Sequence, residues 1–202
     1  MFKGKLVSFI GMDGAGKSTI VRAIHKTLEN KGFKVSSVYI GRGRANLLPI
    51  QFFGKLYRKA GGIESNVAVK GKTFEKISIM HTLAAPIFAA DLLLRYFFVI
   101  VPKLIINDFV ITDRYSTDIL LMNKVPMKLK KFLYYFFPKP NKIIYIYNTL
   151  SILHKRKPEH PLEDLKRQEK LFAKIFSFVK VHKIKNDKLN NSISQIINLI
   201  EK

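Results

Sequence analysis

The 202-residue chain contains no cysteine and no tryptophan, and only 14 of its residues are acidic. Without cysteine there can be no disulfide, thiolate zinc site, iron–sulfur ligation or cysteine nucleophile. The lack is compatible with a reducing cytosol, and a cytoplasmic location is expected. His25, His81, His154, His160 and His182 follow no short metal-ligand spacing, so no histidine-based metal site is expected. The shortage of acid against 36 Lys and Arg leaves a net charge of +22. Such a charge concentrates anions, whether nucleotides, nucleic acid or acidic lipid, and cannot by itself tell them apart. A lysine-rich composition without functional meaning would look the same.

Long apolar runs are also scarce. Leu83 to Val101 approaches bilayer length, but it carries Asp91 and Arg95 and meets Pro102, which reads as a buried helix stopped at the proline. The run Leu6 to Met12 is broken by Gly11 and followed by Asp13, so it reads as a first strand rather than a secretory signal. What the chain does have is 48% hydrophobic residues, including 16 Phe. That is enough for the core of one globular domain and excludes global disorder, while the length excludes two large domains. No internal repeat is evident.

Lys5–Ile10 reads as a strand, Lys17–Lys31 as a helix with apolar residues at helical spacing, Gly32 as its stop and Val35–Ile40 as a second strand. The opening is therefore a βαβ-type unit. Gly41–Pro49 is a loop, and helical patterns dominate from Thr73 to Tyr96. Strands are expected at Asp108–Thr112, Lys142–Tyr147 and Val181–Ile184, with helices at Pro126–Phe137, Leu150–Lys157, Leu162–Val179 and Ser192–Glu201. The alternation predicts an α/β fold with a five-stranded parallel sheet flanked by helices. Ligands of such sheets bind beyond the carboxyl ends of the strands.

At that edge Gly11-Met12-Asp13-Gly14-Ala15-Gly16-Lys17-Ser18, followed by Thr19, matches the Gly-x4-Gly-Lys-Ser/Thr phosphate loop, with a strand before it and a helix after it. Its glycines allow the backbone N–H groups to wrap phosphate oxygens, Lys17 can neutralise the outer phosphates, and Ser18 is placed to ligate Mg2+. A nucleoside triphosphate such as ATP is the expected ligand, without yet a reaction. No Asn-Lys-x-Asp guanine signature occurs, because Asn123-Lys124 runs into Val125-Pro126 and Asn186-Asp187 into Lys188. The small size leaves little room for the domains of motor or transport ATPases, and transfer to a small acceptor is favoured.

With Phe9-Ile10 leading into this loop and Ile111-Thr112-Asp113-Arg114-Tyr115-Ser116-Thr117-Asp118 about a hundred residues later, the chain resembles the thymidylate kinases almost end to end. The resemblance implies a P-loop NTPase fold, a single kinase domain over residues 1–202, ATP and Mg2+, and a nucleoside monophosphate acceptor, dTMP first. It also implies roles. Asp13 would contact the acceptor sugar, Arg114 would hold donor and acceptor phosphates, and Asp113 would organise Mg2+ and water. Arg42 or Arg44 would bind the acceptor phosphate, with the register between them open, and Phe88 would stack on the base or serve as a core aromatic. Arg156, in a lid at about 153–168, would steady the transferring charge, with Arg167 a second choice, since the loop position that can carry a basic residue is Gly14. The family's base-reading arginine falls on Leu92, three residues before Arg95, and its Tyr-Gln pair on Met122-Asn123, so the acceptor could be another nucleotide, a nucleoside or a phosphorylated sugar. A homodimer is implied by the resemblance alone. A second class of reading is a nucleotide-dependent protein binding nucleic acid or an anionic membrane surface through its basic charge. Tyr134 to Phe137 and the Phe172/Phe176 pair read as core or dimer contacts rather than stacking platforms.

Overall fold

The computed structural model describes residues 3–41, 47–48, 79–122 and 125–201. Arg42, Arg44 and Asn123 lie outside them.

Five strands form one sheet: β1 (Lys5–Ile10), β2 (Val35–Tyr39), β3 (Phe109–Asp113), β4 (Lys142–Tyr147) and β5 (His182–Lys185). All pairings are parallel and the order is β2-β3-β1-β4-β5. The order explains the composition. β1 and β3 lie inside the sheet with helices over both faces, and both are almost wholly buried, whereas the edge strand β2 keeps Ser36 and Ser37. Alternate residues feed two apolar clusters. Val7, Phe9, Phe109 and Ile111 join one, Leu6 and Val110 the other.

The first cluster is roofed by α1 (Lys17–Asn30), which presents Ile20, Ile24 and Leu28 at four-residue spacing, together with α6 (Leu150–Arg156), α7 (Leu162–Phe176) and α8 (Leu189–Glu201). The second lies under α2 (Ile79–Arg95), α3 (Val101–Ile106), α4 (Thr117–Leu120) and α5 (Met127–Tyr135). This is the α/β architecture, a five-stranded parallel sheet flanked by helices, expected from the alternation of elements.

The end of the long helix differs from expectation. Pro102 does not stop the long helix; α2 passes through a π-helical turn, Tyr96–Ile100, directly into α3, with Pro102 in the first turn of the new segment. A proline inside an unbroken α-helix would remove one bond and press on the carbonyl four residues back, that of Phe98. The widened turn contains Phe98, and the Val101 N–H donates to Tyr96 O, five residues back. The span Thr82–Ile106 is long and apolar enough to cross a membrane by length and composition. Its inner face, with Ala85, Phe88, Leu92, Tyr96 and Ile100, packs into the second cluster.

Candidate active site

Beyond the carboxyl ends of β1 and β3 lies an open cleft of about 440 Å3, lined by the glycine-rich loop, Tyr39, Asp113, Arg114, Arg156 and Lys157. Its shape starts with backbone demands. A Cβ at Gly11 would run into the Ile146 carbonyl oxygen of the neighbouring strand, and Gly16, at φ 87°, would carry a Cβ into the Asn186 amide. Only glycine lets the loop pass that close to β4 and turn into α1.

The Lys17 ammonium is buried and donates to the loop's own carbonyls, 2.9 Å to Gly11 O and 2.8 Å to Met12 O. Burial, assisted by the Arg114 charge, lowers its pKa to about 8 against the pull of Asp13, Asp113 and Asp118. An arriving phosphate would supply the missing negative charge.

Ser18 at the start of α1 and Asp113 at the end of β3 meet here because the strands are registered side by side, Phe9 opposite Asp113. The Ser18 hydroxyl donates to Asp113 Oδ2 at 2.5 Å, while Asp113 Oδ1 is buried with no hydrogen-bond partner among the described residues. A buried, half-satisfied carboxylate beside a hydroxyl suits a hard divalent cation that takes its remaining ligands from water and phosphate. The two side chains thus fit Mg2+, the ion expected at Ser18 from the loop motif and at Asp113 from the resemblance.

Arg114 has φ 68°, the only positive value among the described non-glycine residues. Such a backbone costs on the order of 1 kcal/mol and persists only where its surroundings fix it. Here the Arg114 N–H donates to Phe9 O at 2.9 Å. Its guanidinium lies 2.6 Å from Asp13 Oδ1 and 3.6 Å from Asp118 Oδ1. Burial alone would lower the Arg114 pKa, but Asp118, Asp13, Tyr39 and Asp113 outweigh it and raise it. Burial alone would raise Asp13, but Arg114, Lys17, His160 and Lys157 hold it below its ordinary value. Both groups are therefore charged at neutral pH.

Arg156, at the end of α6, is exposed and lines the cleft beside Gly16, and Lys157 follows it there. Arg167 is instead paired with Asp164 on its own helix. Thr19 and Gly14 line the cleft, and Ala15 offers its carbonyl to the Asn186 amide at 2.9 Å. Phe88 is buried in the second cluster with Leu92 and Tyr96, the core arrangement.

Three features were not legible in the sequence. Tyr39 closes the cleft beside Arg114. Asn186, directly after β5, props up the loop and is itself held by Asn148, whose amide donates to Asn186 O at 2.7 Å. Third, Arg95 is turned inward. It pairs with Asp91 at 2.8 Å, the two side chains being 1% and 0% exposed, and donates to Gly41 O at 3.3 Å. Asp91 Oδ1 also accepts the Leu47 and Leu48 N–H groups at 2.8 Å each. The pair therefore ties Gly41, Leu47 and Leu48 to α2. The i, i+4 spacing on an apolar helix was a signal for the pair, but nothing local reveals its backbone partners.

No family model matches the chain, and no curated protein matches its sequence. Solved structures do. The thymidylate kinase of Ehrlichia chaffeensis superposes with a TM-score of 0.59 at 16% identity, covering 98% of both chains. That of Candida albicans gives 0.64 at 18% identity, covering 98% of this chain and 91% of its own. At such identities the likeness establishes architecture, and the chain carries the fold of the thymidylate kinases.

Proposed function

We propose that this chain is a cytoplasmic Mg2+-dependent kinase that moves the γ-phosphoryl group of ATP to a nucleoside monophosphate, dTMP in the first place, giving the diphosphate. The observation that carries the reading is the convergence of the phosphate loop, the Ser18–Asp113 pair and the Asp13–Arg114 pair on one cleft. Gly11, Gly14, Ala15, Gly16 and Thr19 shape the donor site, and Lys17 exchanges its loop carbonyls for phosphate oxygens. Ser18 and Asp113 would hold Mg2+, which when bound neutralises phosphate charge. Arg114 offers a planar fork to the transferring group, oriented by Asp13 and Asp118 from either side. Asp13, freed at its other oxygen, accepts a hydroxyl of the acceptor sugar. Arg156 approaches from residues 153–168 acting as a lid over one kinase domain. Catalysis is then positioning and electrostatic stabilisation, with no covalent intermediate.

A second reading keeps the chemistry and changes the acceptor. The position where resemblance expects a base-reading arginine is Leu92, fully buried in the core, and the nearby Arg95 is committed to Asp91 and Gly41. Without that contact to a base, more of the recognition would fall to Arg42 or Arg44 on the acceptor phosphate. The test is an acceptor panel of dTMP, other nucleoside monophosphates, nucleosides and phosphorylated sugars with Mg·ATP, the product identified by mass. Diphosphate formed from dTMP in preference to the rest supports the first reading; preference for another acceptor supports the second. ADP release indifferent to every acceptor overturns both.

A further inference from the structure

The chain has a second cavity, of about 530 Å3, at the opposite end of the sheet, where β4 and β5 begin beside α5. It is separated from the phosphate loop by the length of β4, about 17 Å at the usual rise per residue. Lys131, Lys139, Lys142, Lys180 and His182 line it, and no carboxylate among the described residues does. None of the four lysines forms an ion pair with an acidic side chain among the described residues. Burial, then Lys142 and Lys180, hold the His182 imidazole below its ordinary value, as expected where positive charge goes unanswered. The floor is apolar, with Tyr134, Ile143 and Val179 all buried.

The wall of this cavity continues onto an outward stripe of α5. Phe132 is 60% exposed, Tyr135 78% and, just past the helix, Phe136 62%. Exposed large aromatics next to one another are unusual on a soluble surface. They stand among lysines: Lys131 Nζ lies 4.3 Å from the Phe178 ring centre and Lys139 Nζ 5.1 Å from that of Tyr135. Stacked bases are poorly served by this arrangement, because lysines already cover those two rings and Phe132 and Phe136 meet edge to face at 78°. A bilayer is well served. Aromatic rings sit at the headgroup level, lysine stems lie along apolar surface with their ammonium groups toward phosphate, and anionic lipids supply the charge that the cavity lacks.

We propose that this end of the molecule docks on an anionic bilayer, with a lipid phosphate in the lysine cavity and Phe132, Tyr135 and Phe136 in the interface. Docked so, the catalytic cleft at the other sheet edge faces away from the membrane. The inference is independent of which acceptor the kinase uses.

The test is vesicle flotation of the full chain at physiological salt, with phosphatidylcholine alone and with phosphatidylglycerol mixed in. Binding is expected only to the mixed vesicles. The double variant Lys131→Gln/Lys139→Gln should bind about twenty-five-fold more weakly, roughly fivefold per lysine. Phe132→Ser/Phe136→Ser, which keeps the charge, should weaken binding on the order of tenfold. Both variants should melt near the parent temperature and hydrolyse or transfer from Mg·ATP at the parent rate. Soluble glycerol phosphate, followed by the His182 ring signals in NMR, should raise the imidazole pKa in the parent and not in the lysine variant. Equal binding to neutral vesicles, or indifference to the lysine pair, would overturn the proposal. So would unchanged vesicle binding by Phe132→Ser/Phe136→Ser together with tight binding of a single-stranded RNA oligomer, which would mark the surface as a general polyanion site.

Discussion

Replacing Asp91 with Asn leaves the shape of α2 unchanged and removes one buried charge. Arg95, a guanidinium 1% exposed, would then have lost the Asp91 carboxylate, and breaking one partner of a buried pair costs about 3–5 kcal/mol. The lower end is expected, about 3 kcal/mol, because the Asn oxygen can still accept from Leu47 and Leu48 and because Gly41 O remains for Arg95. The pair variant Asp91→Leu/Arg95→Met exchanges two charges for apolar groups of similar volume, and should recover to within about 1 kcal/mol of the parent. Its function should not recover with its stability. The Leu47 and Leu48 N–H groups and the Gly41 carbonyl lose their anchors in the double variant. Acceptor KM should rise about tenfold, the equivalent of 1.4 kcal/mol, with the KM for ATP unchanged. Urea titration measures the first effect and initial rates at varied acceptor the second. A double variant no more stable than Asp91→Asn, or one with parental acceptor KM, would refute the idea that the pair anchors Gly41, Leu47 and Leu48 for acceptor binding.

Further predictions rest on the cleft. Lys17→Ala and Arg114→Ala should each reduce kcat/KM at least a hundredfold while urea midpoints stay close to the parent, as expected where charge stabilisation is lost and packing is not; parental rates in both would remove their assigned roles. Because Lys17 sits near pKa 8 in the free chain and phosphate favours its charged form, Mg·ATP binding above that pH should take up a substantial fraction of one proton and weaken as pH rises. Calorimetry in two buffers of different ionisation enthalpy reads this, and zero uptake at pH 8.5 would contradict it. The sign for folding is the reverse: the unfolded chain binds the Lys17 proton more tightly, so stability should increase from about pH 8 toward the usual lysine value of 10.5. Asn186→Ala removes the prop under Ala15 and should weaken ATP binding by about 1–2 kcal/mol without changing the transfer step, measured as a rise in ATP Kd with single-turnover rate preserved.

Much of this was written in local signals. β1, α1 and β4 fall where hydrophobic periodicity placed them, β1 and α1 with the further help of a stop, Gly11 after the strand and Gly32 after the helix. The phosphate loop was legible because backbone geometry, helix N-terminus and lysine must be contiguous. Ser18 and Asp113 meet across strands, and their pairing follows from register, which the order of elements implied but periodicity could not fix. The π turn before Pro102 escaped, since a proline pattern marks a disruption without saying whether the helix stops or widens. Asn186 and Tyr39 escaped for another reason. They act through a single backbone contact or a position in the cleft wall, and such partners are set by the packing of distant segments.

The most direct test of the kinase reading follows the phosphorus itself. With Mg·ATP and dTMP, 31P NMR should show the ATP γ resonance disappear as a new β-phosphate resonance of dTDP grows in equal amount, dependent on Lys17 and Arg114. ATP conversion to ADP and inorganic phosphate with no dTDP resonance, at a rate that dTMP and the other acceptors leave unchanged, would contradict it.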